Sequence, residues 1–174
     1  YAPGSDKPYS GEAVWYYDNG QKERERTYKD GEEIGSTRWE YYSNGQKESE
    51  VTYKDGEEDG LWTEWYENGQ KYKEKTYKDG VLDGLFTSWY ENGQKKRENT
   101  YKVGKLDGLI TWWYENGQKR EEGNYKGGNN YGGYIKDGLW TEWFENGQKK
   151  REETYKDGVY GGLYGKWDRN GNER

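Results

Sequence analysis

The dipeptide Asn-Gly recurs seven times, at Asn19, Asn44, Asn68, Asn92, Asn116, Asn146 and Asn170, at intervals of 25, 24, 24, 24, 30 and 24 residues. A near-fixed period of this length means one supersecondary unit copied along the chain, each copy burying its apolar surface against its neighbours. It works against one ordinary globular domain and against a single active site.

One unit, from Asp59 to Leu82, reads DGLWTEWYENGQKYKEKTYKDGVL. Strand-like runs flank its Asn-Gly, Leu61 to Glu67 before and Gln70 to Lys78 after, which predicts a β-hairpin closed by a type I′ turn. Three glycines per unit argue against a helix. Counting back from the turn sets Glu67 opposite Gln70, Tyr66 opposite Lys71, Trp65 opposite Tyr72, Glu64 opposite Lys73, Thr63 opposite Glu74, Trp62 opposite Lys75 and Leu61 opposite Thr76. One face then carries Leu61, Thr63, Trp65, Tyr72 and Thr76, the other Trp62, Glu64, Tyr66, Lys71 and Lys73. The first set recurs as Leu85/Thr87/Trp89, Leu109/Thr111/Trp113 and Leu139/Thr141/Trp143 and is the expected core. The second face varies, with Trp62, Phe86, Ile110, Trp140 and Tyr164 in one column. Cation–π pairs are expected there between Tyr66 and Lys71, Tyr90 and Lys95, Tyr114 and Lys119, and Phe144 and Lys149.

Composition agrees with a thin repeat array. The 174 residues are 28% hydrophobic and 36% charged, with a mean hydropathy of -1.65, values near those of disordered chains. Yet 18% of residues are aromatic, with 10 Trp and 20 Tyr, so aromatic rings replace Leu, Ile and Val as the source of buried area. An elongated body without a thick aliphatic core follows. Cys, Met and His are absent, which removes disulfides, thiolate nucleophiles, imidazole bases and His/Cys metal sites. A net charge of -6 opposes general affinity for nucleic acid or anionic lipid. No apolar run reaches membrane-spanning length.

The pattern G-x-W-x-x-W/Y-Y-x-N-G-Q-K-x-x-E-x-x-Y-K-D-G-x-x-D-G resembles the MORN-repeat variant of bacterial proteins, many of them labelled YwqK-type antitoxins. The likeness runs from Gly11 across nearly the whole chain. It implies an all-β fold, an elongated, twisted antiparallel meander sheet of tandem hairpins with about 13 strands, and a role in scaffolding, partner binding or membrane association. It supplies no catalytic residues. The expected organisation is an irregular leader at residues 1–10, then a single array over 11–174 with six full hairpins, an incomplete seventh, and an insertion at 127–135.

Three irregularities stand out. The insertion GGNNYGGYI carries Tyr131 and Tyr134 and reads either as a recognition loop or as a tolerated lengthening of a connection. The first connection, Glu32 to Ser36, is one residue longer than the others and lacks the second Asp-Gly, which reads as a bulge or as a capping irregularity. The unfinished seventh unit would leave an open edge near Leu163 to Asp168, through which copies of the chain can associate edge to edge. Asp55 with Asp59, and Asp79 with Asp83, raise calcium, but two carboxylates per loop fall short of its six to eight oxygens, so neither metal nor cofactor is expected. Paired carboxylates such as Glu64/Glu74 and Glu142/Glu152 raise glycoside cleavage; recurrence on an exposed face reads instead as solubility and cross-strand pairing.

The leading expectation is therefore a non-enzymatic repeat scaffold that binds a protein partner. Its candidate contact residues are Trp62, Tyr66, Phe86, Tyr90, Trp112, Tyr114, Trp140, Phe144, Tyr131 and Tyr134. A chain starting at Tyr1 reads either as a removed signal peptide or as a trimmed end; with the extended repeat sheet and the acidic surface, the expectation is an exported or surface-associated protein. The alternatives are an intracellular antitoxin that wraps a toxin, and a carbohydrate-binding module using the aromatic rows.

Overall fold

A computed structural model describes residues 8–128 and 133–174. It divides into two compact units, Tyr1–Val81 and Leu82–Arg174. The first carries β1 (Gly11–Tyr16), β2 (Lys22–Lys29), β3 (Glu32–Tyr41), β4 (Lys47–Lys54), β5 (Glu57–Trp65) and β6 (Lys71–Lys78). The second carries β7 (Val81–Trp89, beginning at the boundary), β8 (Lys95–Lys102), β9 (Lys105–Trp113), β10 (Lys119–Gly128), β11 (Tyr134–Trp143), β12 (Lys149–Lys156) and β13 (Val159–Lys166). Within each unit the strands follow one another in chain order as antiparallel neighbours, and no helix occurs among the described residues. The fold is the all-β antiparallel meander that the repeat predicts.

The type I′ turn expected at Asn-Gly is found at Asp-Gly instead. At Asn-Gly, Tyr66 N–H donates to the Gln70 carbonyl at 2.8 Å and Gly69 N–H to the Tyr66 carbonyl at 2.9 Å. Positive φ falls on Gly69 (81°) and not on Asn68, which is a type I turn closed by a glycine bulge rather than type I′. Asn68 is free of the left-handed requirement, and its Oδ1 accepts the Gln70 N–H at 2.9 Å. Type I′ geometry belongs to the Asp-Gly turns instead: Asp55 and Gly56 between β4 and β5 have φ of 51° and 86°. Both turns match the right-handed strand twist, and only the two-residue one needs positive φ twice.

The hairpin register agrees with the sequence count for Leu61↔Thr76, Trp62↔Lys75, Thr63↔Glu74 and Glu64↔Lys73, then shifts so that Trp65 faces Lys71. Tyr72 is thereby bulged out of the ladder. The same shift occurs beside Glu23, Glu48, Lys96, Arg120 and Lys150, each skipped between two paired residues.

Burial corrects the expected core. The leucines of the recurring set are half exposed, 51% for Leu61 and much the same for Leu85, Leu109 and Leu139. Only the threonines of that face are buried: Thr63, Thr87, Thr111 and Thr141. The deepest apolar side chains lie on the variable face, Ile110 at 1%, Trp140 at 3%, and Leu106 and Val51. Large flat rings there cover their lateral neighbours; Trp140 lies so close over Gly123 that a Cβ would stand 2.2 Å from its ring. The predicted cation–π pairs also change. Lys95 stands over Trp113 at 5.6 Å, Lys119 over Trp143 at 5.7 Å and Lys47 over Trp65 at 5.5 Å, each reaching the next hairpin. By skipping one residue, the bulge sets each lysine opposite a tryptophan instead of the tyrosine, as Lys71 faces Trp65, and so puts it on the tryptophans' face.

Residues 8–10 dock on the first hairpin, where the Tyr9 carbonyl accepts Gly31 N–H at 2.9 Å. The long first connection holds a bulge, as other connections do: Thr27 faces Gly35 and Tyr28 faces Glu33, so Ile34 has no opposite residue. The inserted hairpin lengthens β10 and β11 until Gly128 faces Tyr134, and Tyr131 lies outside the described residues. Beyond β13, Trp167 bridges Glu173.

Candidate functional site

The constant face carries pairs that close each hairpin on itself. In the second unit, Thr111 Oγ1 donates to Glu122 at 3.1 Å and Thr141 Oγ1 to Glu152 at 3.3 Å. Each glutamate also pairs with the lysine three residues before it, as in Lys119–Glu122 and Lys149–Glu152. Exposed pairs of this kind contribute little singly, about 0.2–1 kcal/mol each, but every hairpin repeats them. The Asn-Gly end adds direct ties between consecutive hairpins. Tyr42 Oη donates to the Trp65 carbonyl at 2.7 Å, Tyr90 to Trp113 at 2.9 Å and Tyr114 to Trp143 at 2.9 Å. Asn44 Nδ2 donates to the Glu67 carbonyl, and Asn116 Nδ2 to that of Glu145. The recurrent Tyr and Asn of the motif therefore stitch successive hairpins.

The paired carboxylates cannot act together, because each pair straddles the sheet. Glu64 faces Lys73 on the variable side while Glu74 faces Thr63 on the other, and Glu142 and Glu152 divide in the same way. Glu64 is held by Lys73 and Lys75, and Glu142 by Lys150 and Arg151. The Asp-rich turns have a structural partner too: Asp59 Oδ2 accepts the Asp79 N–H at 3.3 Å, and Asp137 does the same for Asp157. Among the described residues no group of three or more Asp or Glu is placed to hold a metal. No helix there is long and apolar enough to cross a membrane.

The aromatic candidates separate by exposure. Trp140 is buried, with Lys136 Nζ 3.8 Å from its ring centre, so it packs and presents no open face to a partner. Lys75 stands 4.4 Å over Trp62, and Arg97 lies over both Phe86 and Trp112. Tyr90 and Tyr114 are tied by their hydroxyls, Tyr66 meets Tyr72 at 4.8 Å, and Tyr134 is exposed beside Tyr125. Phe144 has no hydroxyl to make the tie; Arg169 lies 5.8 Å from its ring.

What the sequence reading missed is the bulge row. A β-bulge re-aims its extra side chain out of the ladder. The bulged residues are Glu23, Glu48 and Tyr72 in the first unit and Lys96, Arg120 and Lys150 in the second. The preceding residue is lysine every time, at Lys22, Lys47, Lys71, Lys95, Lys119 and Lys149. That contrast between a constant position and its variable neighbour was available in the sequence. In the first unit Glu48 borders two adjoining clefts of about 630 and 260 Å³, both also lined by Glu40 and Tyr42. Burial, with the nearby Glu48, Glu67 and Glu64 carboxylates, raises the Tyr42 phenol above its ordinary value, so it stays a donor to Trp65. In the second unit Lys150 and Arg169 line a cleft of about 620 Å³ against Tyr114 and Phe144.

A profile described as the MORN repeat variant matches residues 9–30, 40–55, 58–79, 82–102, 106–126 and 136–157. No curated protein matches the chain. The matched segments follow the hairpins and exceed half of the sequence, and the chain accordingly belongs to the MORN repeat variant family.

Proposed function

We propose that the protein is a non-enzymatic scaffold that binds another protein along the Asn-Gly end of its variable face. One observation carries this reading: hairpins whose opposite face repeats the same Lys–Glu pair present four different bulged side chains, Glu, Tyr, Lys and Arg, over six copies. Repeat arrays bind through surfaces spread over several units, where constant positions hold the array and variable ones meet the partner. Sugar stacking needs an open ring face, whereas Trp140 is buried and Lys75 stands over Trp62.

The test is capture of a partner by the full chain from the cells that make it. Charge reversal at the bulge row, with Glu48→Lys, Lys96→Glu and Lys150→Glu together, is expected to abolish capture. Reversal at the opposite turns, with Lys54→Glu and Lys102→Glu, should leave it intact. Loss of capture only in the second variant would overturn the reading.

A further inference from the structure

The first unit contains a cleft whose chemistry selects one kind of contact. Its walls are the Tyr17, Tyr41 and Tyr42 rings and its acids are Asp18, Glu40 and Glu48. It continues, past the shared Glu40, Tyr42 and Glu48, into the smaller cleft lined by Trp62, Trp65 and Tyr72. Tyr17 and Tyr41 meet edge to face at 6.1 Å, and the hydroxyls of Tyr17 and Tyr42 are fixed on the Trp39 and Trp65 carbonyls. The rings are thus held in place before anything binds.

The carboxylates differ in what already neutralises them. Glu40 is paired with Arg38 at 3.2 Å, and Glu64 at the far end with Lys75 at 3.3 Å. Asp18 and Glu48 make no ion pair among the described residues, and both are exposed. Glu48 is the bulged residue between Lys47 and Ser49, aimed out of the ladder beside Tyr42. Trp62 adds an indole Nε1 that is buried without a hydrogen-bond partner on the wall of the smaller cleft.

We infer that this cleft receives a Lys- or Arg-rich segment of the protein partner. The inference rests on the scaffold reading above and specifies its partner chemistry. A cation between aromatic faces gains from the ring quadrupoles, and a guanidinium or ammonium also satisfies the two unpaired carboxylates. An anionic or apolar segment would leave Asp18 and Glu48 facing like charge or stripped of water, which is costly. In the second unit the bulged positions are cationic, and Lys150 is paired with Glu142 at 3.1 Å, so the acidic cleft is a property of the first unit and not of the repeat.

The experiment is fluorescence anisotropy of a labelled octa-arginine peptide titrated with the full chain, with octaglutamate as the opposite-charge probe. Glu48→Lys is compared with Glu115→Lys, a reversal of equal charge at an exposed turn residue of the second unit. The fold accepts lysine at the bulge, as Lys96 and Lys150 demonstrate. Octa-arginine is expected to bind and octaglutamate not. Glu48→Lys should weaken binding about tenfold while Glu115→Lys changes it by less than about twofold, the difference between a local pair and screened distant charge. Equal effects of the two reversals, or no octa-arginine binding, would overturn the inference. Either failure leaves the scaffold reading standing, because that reading is judged by partner capture; if capture also fails with the bulge row intact, both fall.

Discussion

Val103 occupies a backbone conformation that its side chain disfavours, and replacing it should stabilise the protein. It sits at φ 48° in the two-residue turn between β8 and β9, followed by Gly104 at 71°. The corresponding residues Asp30, Asp55, Asp79 and Asp157 adopt the same geometry at φ 48–51°. For an L-residue the left-handed region costs roughly 1–2 kcal/mol, with Asn and Asp partly relieved by local hydrogen bonding and β-branched residues at the upper end. Val103 is 68% exposed, so at most about a third of the 1.5–3 kcal/mol for full burial, roughly 0.5–1 kcal/mol, is lost with its side chain. Asn is therefore expected to gain about 0.5–1 kcal/mol net in Val103→Asn. The reverse change, Asp55→Val, removes an exposed residue with no ion pair among the described residues and should cost about 1 kcal/mol. Urea unfolding followed by tryptophan fluorescence and by far-UV circular dichroism measures both, compared through midpoints because repeat arrays need not unfold in one step. If Val103→Asn lowers the midpoint, or Asp55→Val leaves it unchanged, turn strain is not what separates these positions.

Gly123→Ala should destabilise by about 1–3 kcal/mol, since its Cβ would meet the Trp140 ring at 2.2 Å while its own backbone is unstrained; a shift in the near-ultraviolet tryptophan signal should accompany the lowered midpoint. Tyr114→Phe removes the hydroxyl that joins two hairpins at the Trp143 carbonyl, and a loss of about 0.5–1.5 kcal/mol is expected, measured by thermal melting; an unchanged melt would mean that the tie contributes nothing. Stability should respond to acid in two opposed ways. Burial raises the Glu121 carboxyl above its ordinary 4.5, so its ionisation costs stability at neutral pH and that cost is relieved as pH falls toward 4.5. Glu142, which burial alone would raise, is held below 4.5 by hydrogen bonds from Arg151 and Lys150, so it stabilises above 4.5 and that contribution is lost as pH falls through its lowered value. Denaturant midpoints against pH should therefore lose their upper slope in Glu121→Gln and their lower slope in Glu142→Gln; identical profiles for the two variants would contradict the assignment.

The pairs Leu61–Thr76 through Glu64–Lys73 could be counted from the Asn-Gly turn alone, because a hairpin register depends only on local turn length and on the two-residue alternation of strands. The count failed at Trp65, where the turn needs a different geometry and releases Tyr72 as a bulge. The same local error displaced the expected cation–π pairs and hid the row of Glu23, Glu48, Tyr72, Lys96, Arg120 and Lys150. Of the aromatic candidates, the sequence could not separate Trp140, buried over Gly123, from Tyr134, exposed at the lengthened hairpin, because burial depends on which residue the neighbouring strand sets alongside.

The period, the hairpins, the family and the partition into a constant and a variable face were determined by the sequence, through rules acting within about ten residues of each turn. The tertiary structure decided which face buries its side chains and where Tyr42, Tyr90 and Tyr114 donate. Those outcomes depend on registers between successive hairpins, set by bulges and ring packing across residues some 23 to 29 apart, and no local pattern encodes them.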